Sequence, residues 1–307
     1  VTPNAFCTAD NIDPGRVFRS CEIALITNEN VNIKGKKDDP GDWSKITECI
    51  WRTDQSSLEI IGDQFLYTCG NLEKLDLSCF NNLKSIGSNF LRDCTELEQI
   101  VLPELTNKLL ISDNFLFDCF QLGELNIPNS WDVTQIGIHF LANCISITTL
   151  NLHCLRNITS FPYRSLYNCA ALHDLYFDKT NKLEEIGQEF LYNATVLETF
   201  DMSVFPHLKT IGNGFMGQCF ALKTLDMRAL TELTNPVGGC AIGSRFLELC
   251  WLTDAEIWLP LKDPKTYNTS GDDFFYCTIF KCFHAGPYVD LYKQTPPWDK
   301  YAGSIIE

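Results

Sequence analysis

Apolar residues recur along this chain on two interleaved spacings. From Ile61 to Ser85 the sequence reads IGDQFLYTCGNLEKLDLSCFNNLKS, and Ile86 to Leu110 repeats it as IGSNFLRDCTELEQIVLPELTNKLL. Further copies begin at Ile111, Ile136, Phe161, Ile186 and Ile211, each 25 residues after the last, with a looser one at Ile242. The shared skeleton is I-G-x-x-F-L-x-x-C-x-x-L-x-x-L-x-L. Its first part sets Ile61, Phe65, Leu66 and Cys69 on one face of a short helix. Its second part, Leu72-x-x-Leu75-x-Leu77, ends in the alternation of a strand, with Asp76 turned the other way. One strand and a helical turn or two cannot bury their own apolar face. Stacked units share a continuous core, and a period of roughly 20–50 residues marks such a solenoid.

The flanks depart from this grammar. Residues 1–45 hold turn signals and a polar run from Lys34 to Asp42, and read as an N-terminal cap over the open end of the stack. Ile46, Cys49 and Trp51 echo the strand spacing and predict a first, degenerate strand. The solenoid is assigned to 46–261, regular over 61–235 and irregular over 236–261, where Pro236 to Ala241 interrupt the period. Residues 261–276 read as a polar loop, and 262–307 as that insertion loop with a C-terminal cap.

The motif resembles the leucine-rich repeats, and its I-G-x-x-F-L-x-x-C wording looks like the BspA-like subclass found in surface proteins of bacteria and protists. The resemblance implies an α/β fold: a right-handed solenoid of about nine coils. It implies a concave parallel sheet, short helical turns on the convex side, and a cap at each end. The tail from Ile279 resembles the closing segment of such proteins. It has a last strand, Ala285-Gly286, a short helix from Tyr288 to Lys293 opened by Pro287, and an aromatic wedge of Trp298 and Tyr301. For function the resemblance implies an extracellular or cell-surface module for protein binding or adhesion. The rival expectation is a structural subunit of an extracellular filament or coat.

Charge narrows the partners. The 307 residues carry a net charge of −15, which argues against nucleic acid and against anionic membrane surfaces. No run of 18 apolar residues predicts a membrane span. The start Val1-Thr-Pro-Asn lacks the basic and apolar regions of a signal peptide, and a start without Met is what processing leaves. The expected partners are a protein or glycan on another cell or matrix, or further copies of the chain.

Seven of the 15 cysteines share one repeat position: Cys69, Cys94, Cys119, Cys144, Cys169, Cys219 and Cys250. Ala194 fills the slot in the remaining copy, so the slot wants something small and apolar. Stacked side chains point the same way, and a row of seven cannot pair completely, so buried thiols are expected there. Cys79 and Cys154 share another position three repeats apart and read as packing residues. Cys7–Cys21 and Cys277–Cys282 are the expected disulfides, each closing a short loop in a cap. Asn157, Asn193 and Asn268 begin N-x-S/T sequons and are candidate glycosylation sites, Asn268 being the best placed, in a polar loop.

Catalytic motifs are missing: the sequence has no GxSxG, P-loop, HExxH, GxGxxG or CxxC. Its five histidines, His139, His153, His173, His207 and His284, fall at different repeat phases and spell no metal set. No enzyme activity, cofactor or metal is therefore expected. The informative surface is the strand face, where the middle residue of each Leu-x-Leu points away from the core. Those residues are Asp76, Val101, Asn126, Asn151, Tyr176, Asp201 and Asp226, flanked by Glu124, His153, Asp174, Asp178 and Arg228. The candidate ligand-binding set is Asp76, Asn126, Asn151, Asp174, Tyr176, Asp178, Asp201 and Asp226. Asp174, Tyr176, Asp178, Asp201 and Asp226 are expected to converge on adjacent strands.

Overall fold

The computed structural model describes residues 31–35, 46–51, 59–269, 274–276 and 278–307. It is a parallel-strand solenoid of about 10 turns, close to the nine expected. The chain divides after Leu155 into two compact units.

In the first unit short strands line up in two rows. Ile46–Trp51, Lys74–Asp76 and Gln99–Val101 pair in parallel, and Val31–Gly35 joins antiparallel to Ile46–Trp51. Ile60–Ile61, Ser85–Ile86, Lys108–Ile111 and Asp132–Gln135 form the second row. In the second unit the rows are Ser160–Phe161, Glu185–Ile186 and Thr210–Ile211 on one side. On the other run Thr199–Asp201, Thr224–Asp226, Trp251–Trp258, Ile279–His284 and Ile305–Ile306. The pairing follows the sequence period: Leu75 lies opposite Ile100, and Ile61 opposite Ile86. Equal positions therefore stack, and alternation leaves Leu75 and Ile100 buried between exposed neighbours.

The segment after each Ile-Gly is not the helix its apolar spacing predicts. It is a run of turns in which every second residue is left-handed: Gln64, Leu66 and Thr68 have φ of 60°, 51° and 60°, and the same slots repeat through both units. A right-handed helix cannot pass through such residues. The backbone groups bond between coils instead. Gln64 N–H donates to Ser88 O (2.7 Å), Thr68 N–H to Arg92 O (2.8 Å), and Leu91 N–H returns to Phe65 O (2.9 Å). The i, i+4, i+5, i+8 spacing arises because alternating backbone conformations turn Phe65, Leu66 and Cys69 all inward, where each is fully buried.

Aromatic columns fill the core of each unit. Phe65, Phe90, Phe115 and Phe140 stack with ring centroids 5.4, 5.2 and 5.5 Å apart in the first. Phe215, Phe246 and Phe274 stack at 5.2 and 5.5 Å in the second. One coil swaps its residues. Ser165 stands in the phenylalanine slot, buried with its Oγ on Pro162 O, and Phe161 takes the isoleucine slot, 4.8 Å from Phe190. The Ile-Gly glycine lets coils approach closely: a Cβ on Gly212 would lie 2.5 Å from the carbonyl carbon of Gly187.

The segment expected as a polar loop carries buried Tyr267, Phe274 and Phe275, and Phe274 prolongs the ring column by a coil. The end of the chain follows the expected order, with Val289–Tyr292 helical and Trp298 buried against Phe274 and Tyr292. A further strand, Ile305–Ile306, then pairs with Phe283 and His284.

Candidate functional site

The outward acids of the strand face have a local task. Asp76 Oδ1 accepts Ser78 N–H at 2.8 Å, and Asn151 Oδ1 accepts His153 N–H at 3.0 Å. In the second unit Asp178 serves Thr180 N–H, Asp201 serves Ser203 N–H, and Asp226 serves Arg228 N–H, at 2.7, 2.8 and 3.0 Å. Each caps the turn that leaves its strand by bonding two residues on, as short Asx side chains do. The D-x-S/T wording of Asp76, Asp178 and Asp201 carries this signal in the sequence. Asp76, Asn126, Asp174, Tyr176 and Asp201 are exposed, whereas Asn151, Asp178 and Asp226 are half-buried.

In the second unit, register brings Asp201, Asp226, Trp258 and His284 side by side on successive strands. That sheet does not extend to Asp174–Tyr176, so the ladder joins only Asp201 and Asp226 of the five residues expected to converge. Arg228 closes a bidentate pair on Asp226, which holds that carboxyl below its ordinary range. Its guanidinium sits 5.7 Å from the Trp258 ring centre. Trp258 in turn stacks on His284, centroids 4.9 Å apart and 12° from parallel. Cys282 Sγ and Glu256 Oε2 both face His284 Nε2, at 3.6 and 3.5 Å. Lys281 lowers the Glu256 carboxyl, while burial and Glu256 raise the Cys282 thiol. Sequence reasoning missed Trp258, His284, Glu256 and Cys282. Their alternation, Glu256-Ile257-Trp258 and Cys282-Phe283-His284, was legible, but an irregular period hid which coil met which.

The model of the BspA type leucine rich repeat region matches residues 51–148 and 109–237, in 6 copies. The chain belongs to the BspA-type leucine-rich repeat family. Repeats of this kind are a protein-interaction type of module, and the fold is typically a non-catalytic binding scaffold. Similar solved structures include a leucine-rich repeat protein of T. pallidum, 16% identical over 54% of this chain and 72% of that one, with a TM-score of 0.30. Another, from Bacteroides ovatus, is 16% identical over 74% of this chain and 82% of its own (TM-score 0.24). A leucine rich cell surface protein of Faecalibacterium prausnitzii is 14% identical over 74% and 76% (TM-score 0.27). At these scores the assignment rests on the family match alone. Comparison with curated proteins finds no match.

The cysteine slot of this BspA-type repeat does more than fill space. Cys94, Cys119, Cys144 and Cys219 donate their thiols to Leu66, Leu91, Leu116 and Leu191 carbonyls, at 3.1–3.3 Å. Burial pushes the Cys119 and Cys219 thiols far up, and Cys250 to about 12. Cys154 is buried, Cys79 half-buried. Cys7, Cys21 and Cys277 lie outside the described residues, and Cys282 carries a half-buried free thiol. Of the sequon asparagines, Asn268 is exposed and Asn157 half-buried, while Asn193 donates its amide to Asn168. Among the described residues no helix is long and apolar enough to cross a membrane.

Proposed function

We propose that this BspA-type repeat protein is an extracellular or cell-surface module that binds a protein partner through the strand face of its second unit. The observation that supports this most is the Arg228–Trp258–His284 row. It is a partly exposed set that includes tryptophan and arginine, residue types that dominate binding energy; Tyr176, 51% exposed, stands on a separate sheet. Its acids steer and select more than they hold. Surface placement leans on the family resemblance and on the printed description of the Faecalibacterium protein. The test is retention of the full chain on cells and matrix proteins. Trp258→Ala, checked by circular dichroism to be folded, should weaken retention by about 2 kcal/mol. Equal retention of wild type and variant removes this face.

A second reading, self-assembly into a filament or coat, draws on an apolar pair. Trp251 and Ile279 are register partners, 72% and 55% exposed. Polymers in electron micrographs that Trp251→Asp abolishes support it; a monodisperse wild type removes it.

A further inference from the structure

We propose that Glu256, Cys282 and His284 form a binding site for a divalent metal of the zinc class, a role beyond the partner-binding reading, with which it shares His284. Glu256 and Cys282 are register partners on adjacent parallel strands, and His284 follows Cys282 by two residues, so all three leave the same face of the sheet. Their ligand atoms lie within 4.8 Å of one another.

The two separations from His284 suit a tetrahedral ion. Zinc binds nitrogen and oxygen at about 2.0–2.1 Å and sulfur at about 2.3 Å, which sets tetrahedral donors about 3.3–3.6 Å apart. His284 Nε2 lies 3.6 Å from Cys282 Sγ and 3.5 Å from Glu256 Oε2.

Two of the three ligands, His284 and Glu256, are also held from behind. His284 Nδ1 sits 3.1 Å from the backbone oxygen of Glu307. A proton on Nδ1 donates to that oxygen and leaves the Nε2 lone pair facing the other two ligands, the arrangement that orients metal-binding histidines. The Trp258 ring fixes the plane of the imidazole. Lys281 Nζ holds Glu256 Oε1 at 2.7 Å and leaves Oε2 turned to the site.

Thiolate, imidazole and carboxylate together select zinc or cobalt over magnesium or calcium, which prefer all-oxygen sets. A thiolate and a carboxylate bring two negative charges to match the ion. With three ligands from the chain, the fourth position falls to water or to a donor from outside. No sequence motif announces the set, because stacking of two coils, not spacing along the chain, brings Glu256 to the other two.

The test uses the full chain, stripped with chelator and kept under a non-thiol reductant so that Cys282 stays reduced. Titration with Co²⁺ should give thiolate-to-cobalt charge transfer and tetrahedral ligand-field bands that saturate at one equivalent and vanish on adding Zn²⁺. Cys282→Ser should abolish the charge-transfer band. Glu256→Gln should keep the band and lower affinity at least about tenfold. Cys240→Ser, which alters another half-buried thiol, should change neither. Circular dichroism checks that each variant is folded. Absence of a band at one equivalent, or a band that survives in Cys282→Ser, overturns the proposal.

Discussion

At the scale of single residues, the left-handed slots explain side chains that hydrophobic patterning leaves unassigned. In five of the eight copies the residue before the cysteine slot is Asp93, Asp118, Asn143, Asn168 or Asn193 (the last before Ala194), each with φ near 60°, where Asn and Asp are enriched. Their side chains form ladders: Asn143 donates to Asp118, and Asn193 to Asn168. Asp118 is the costly rung. Burial raises its pKa to about 6, the Asn143 amide opposes the rise, and Asp93 adds to it. A folded-state pKa above the unfolded value gives stability that is present below about pH 4 and lost as pH rises through about 6. Asp118→Asn restores the rung used at Asn168 and Asn193. The variant should gain melting temperature over wild type progressively from pH 4 to pH 7; a constant difference would refute the assignment.

At the scale of the element, the strand alternation and the 25-residue register were legible, because burial on one face forces period two and stacking forces equal residues opposite one another. The turn run was not. Its apolar spacing fits a helix, and only the choice of residue betrays the backbone. Leu66, Leu91, Leu116, Leu141, Leu166, Leu191, Met216 and Leu247 are all buried with φ of 50–57°, and none is β-branched. A β-branched side chain at positive φ is a true outlier. Leu116→Ile should therefore cost more than about 2 kcal/mol, beyond the usual limit for an isosteric swap. Leu122→Ile, equally buried but not left-handed, should stay below about 1.5 kcal/mol. Matching urea midpoints for the two would contradict this geometry. The Glu256, Cys282 and His284 cluster stayed hidden for a related reason. Pro236 to Ala241 and the loop after Leu261 break the period, so sequence offsets no longer name neighbours.

For the molecule as a whole, a stack of near-identical coils should tolerate losing one, since each coil contacts mainly its neighbours. Deleting residues 86–110 would bring Ile61 opposite Ile111 and Phe65 under Phe115, the same partners they have now in kind. That variant should melt cooperatively with an unchanged spectral shape. Deleting 86–109 shifts one junction by a residue, turns apolar side chains to solvent, and should yield no folded protein; equal behaviour would mean that register does not govern the stack. The buried thiol column carries a further consequence, which concerns time. Once a coil is seated, its cysteine is spent on a neighbouring carbonyl and beyond the reach of oxidants. Before seating, the same row is a set of closely spaced thiols on an unfolded chain. Disulfide formation takes seconds to hours, whereas local collapse takes far less than a millisecond. In an oxidising compartment this chain would therefore run a race, with coil-by-coil stacking ahead of cross-linking, and any delay in assembly would be recorded as mispairing that takes seconds to hours to reshuffle.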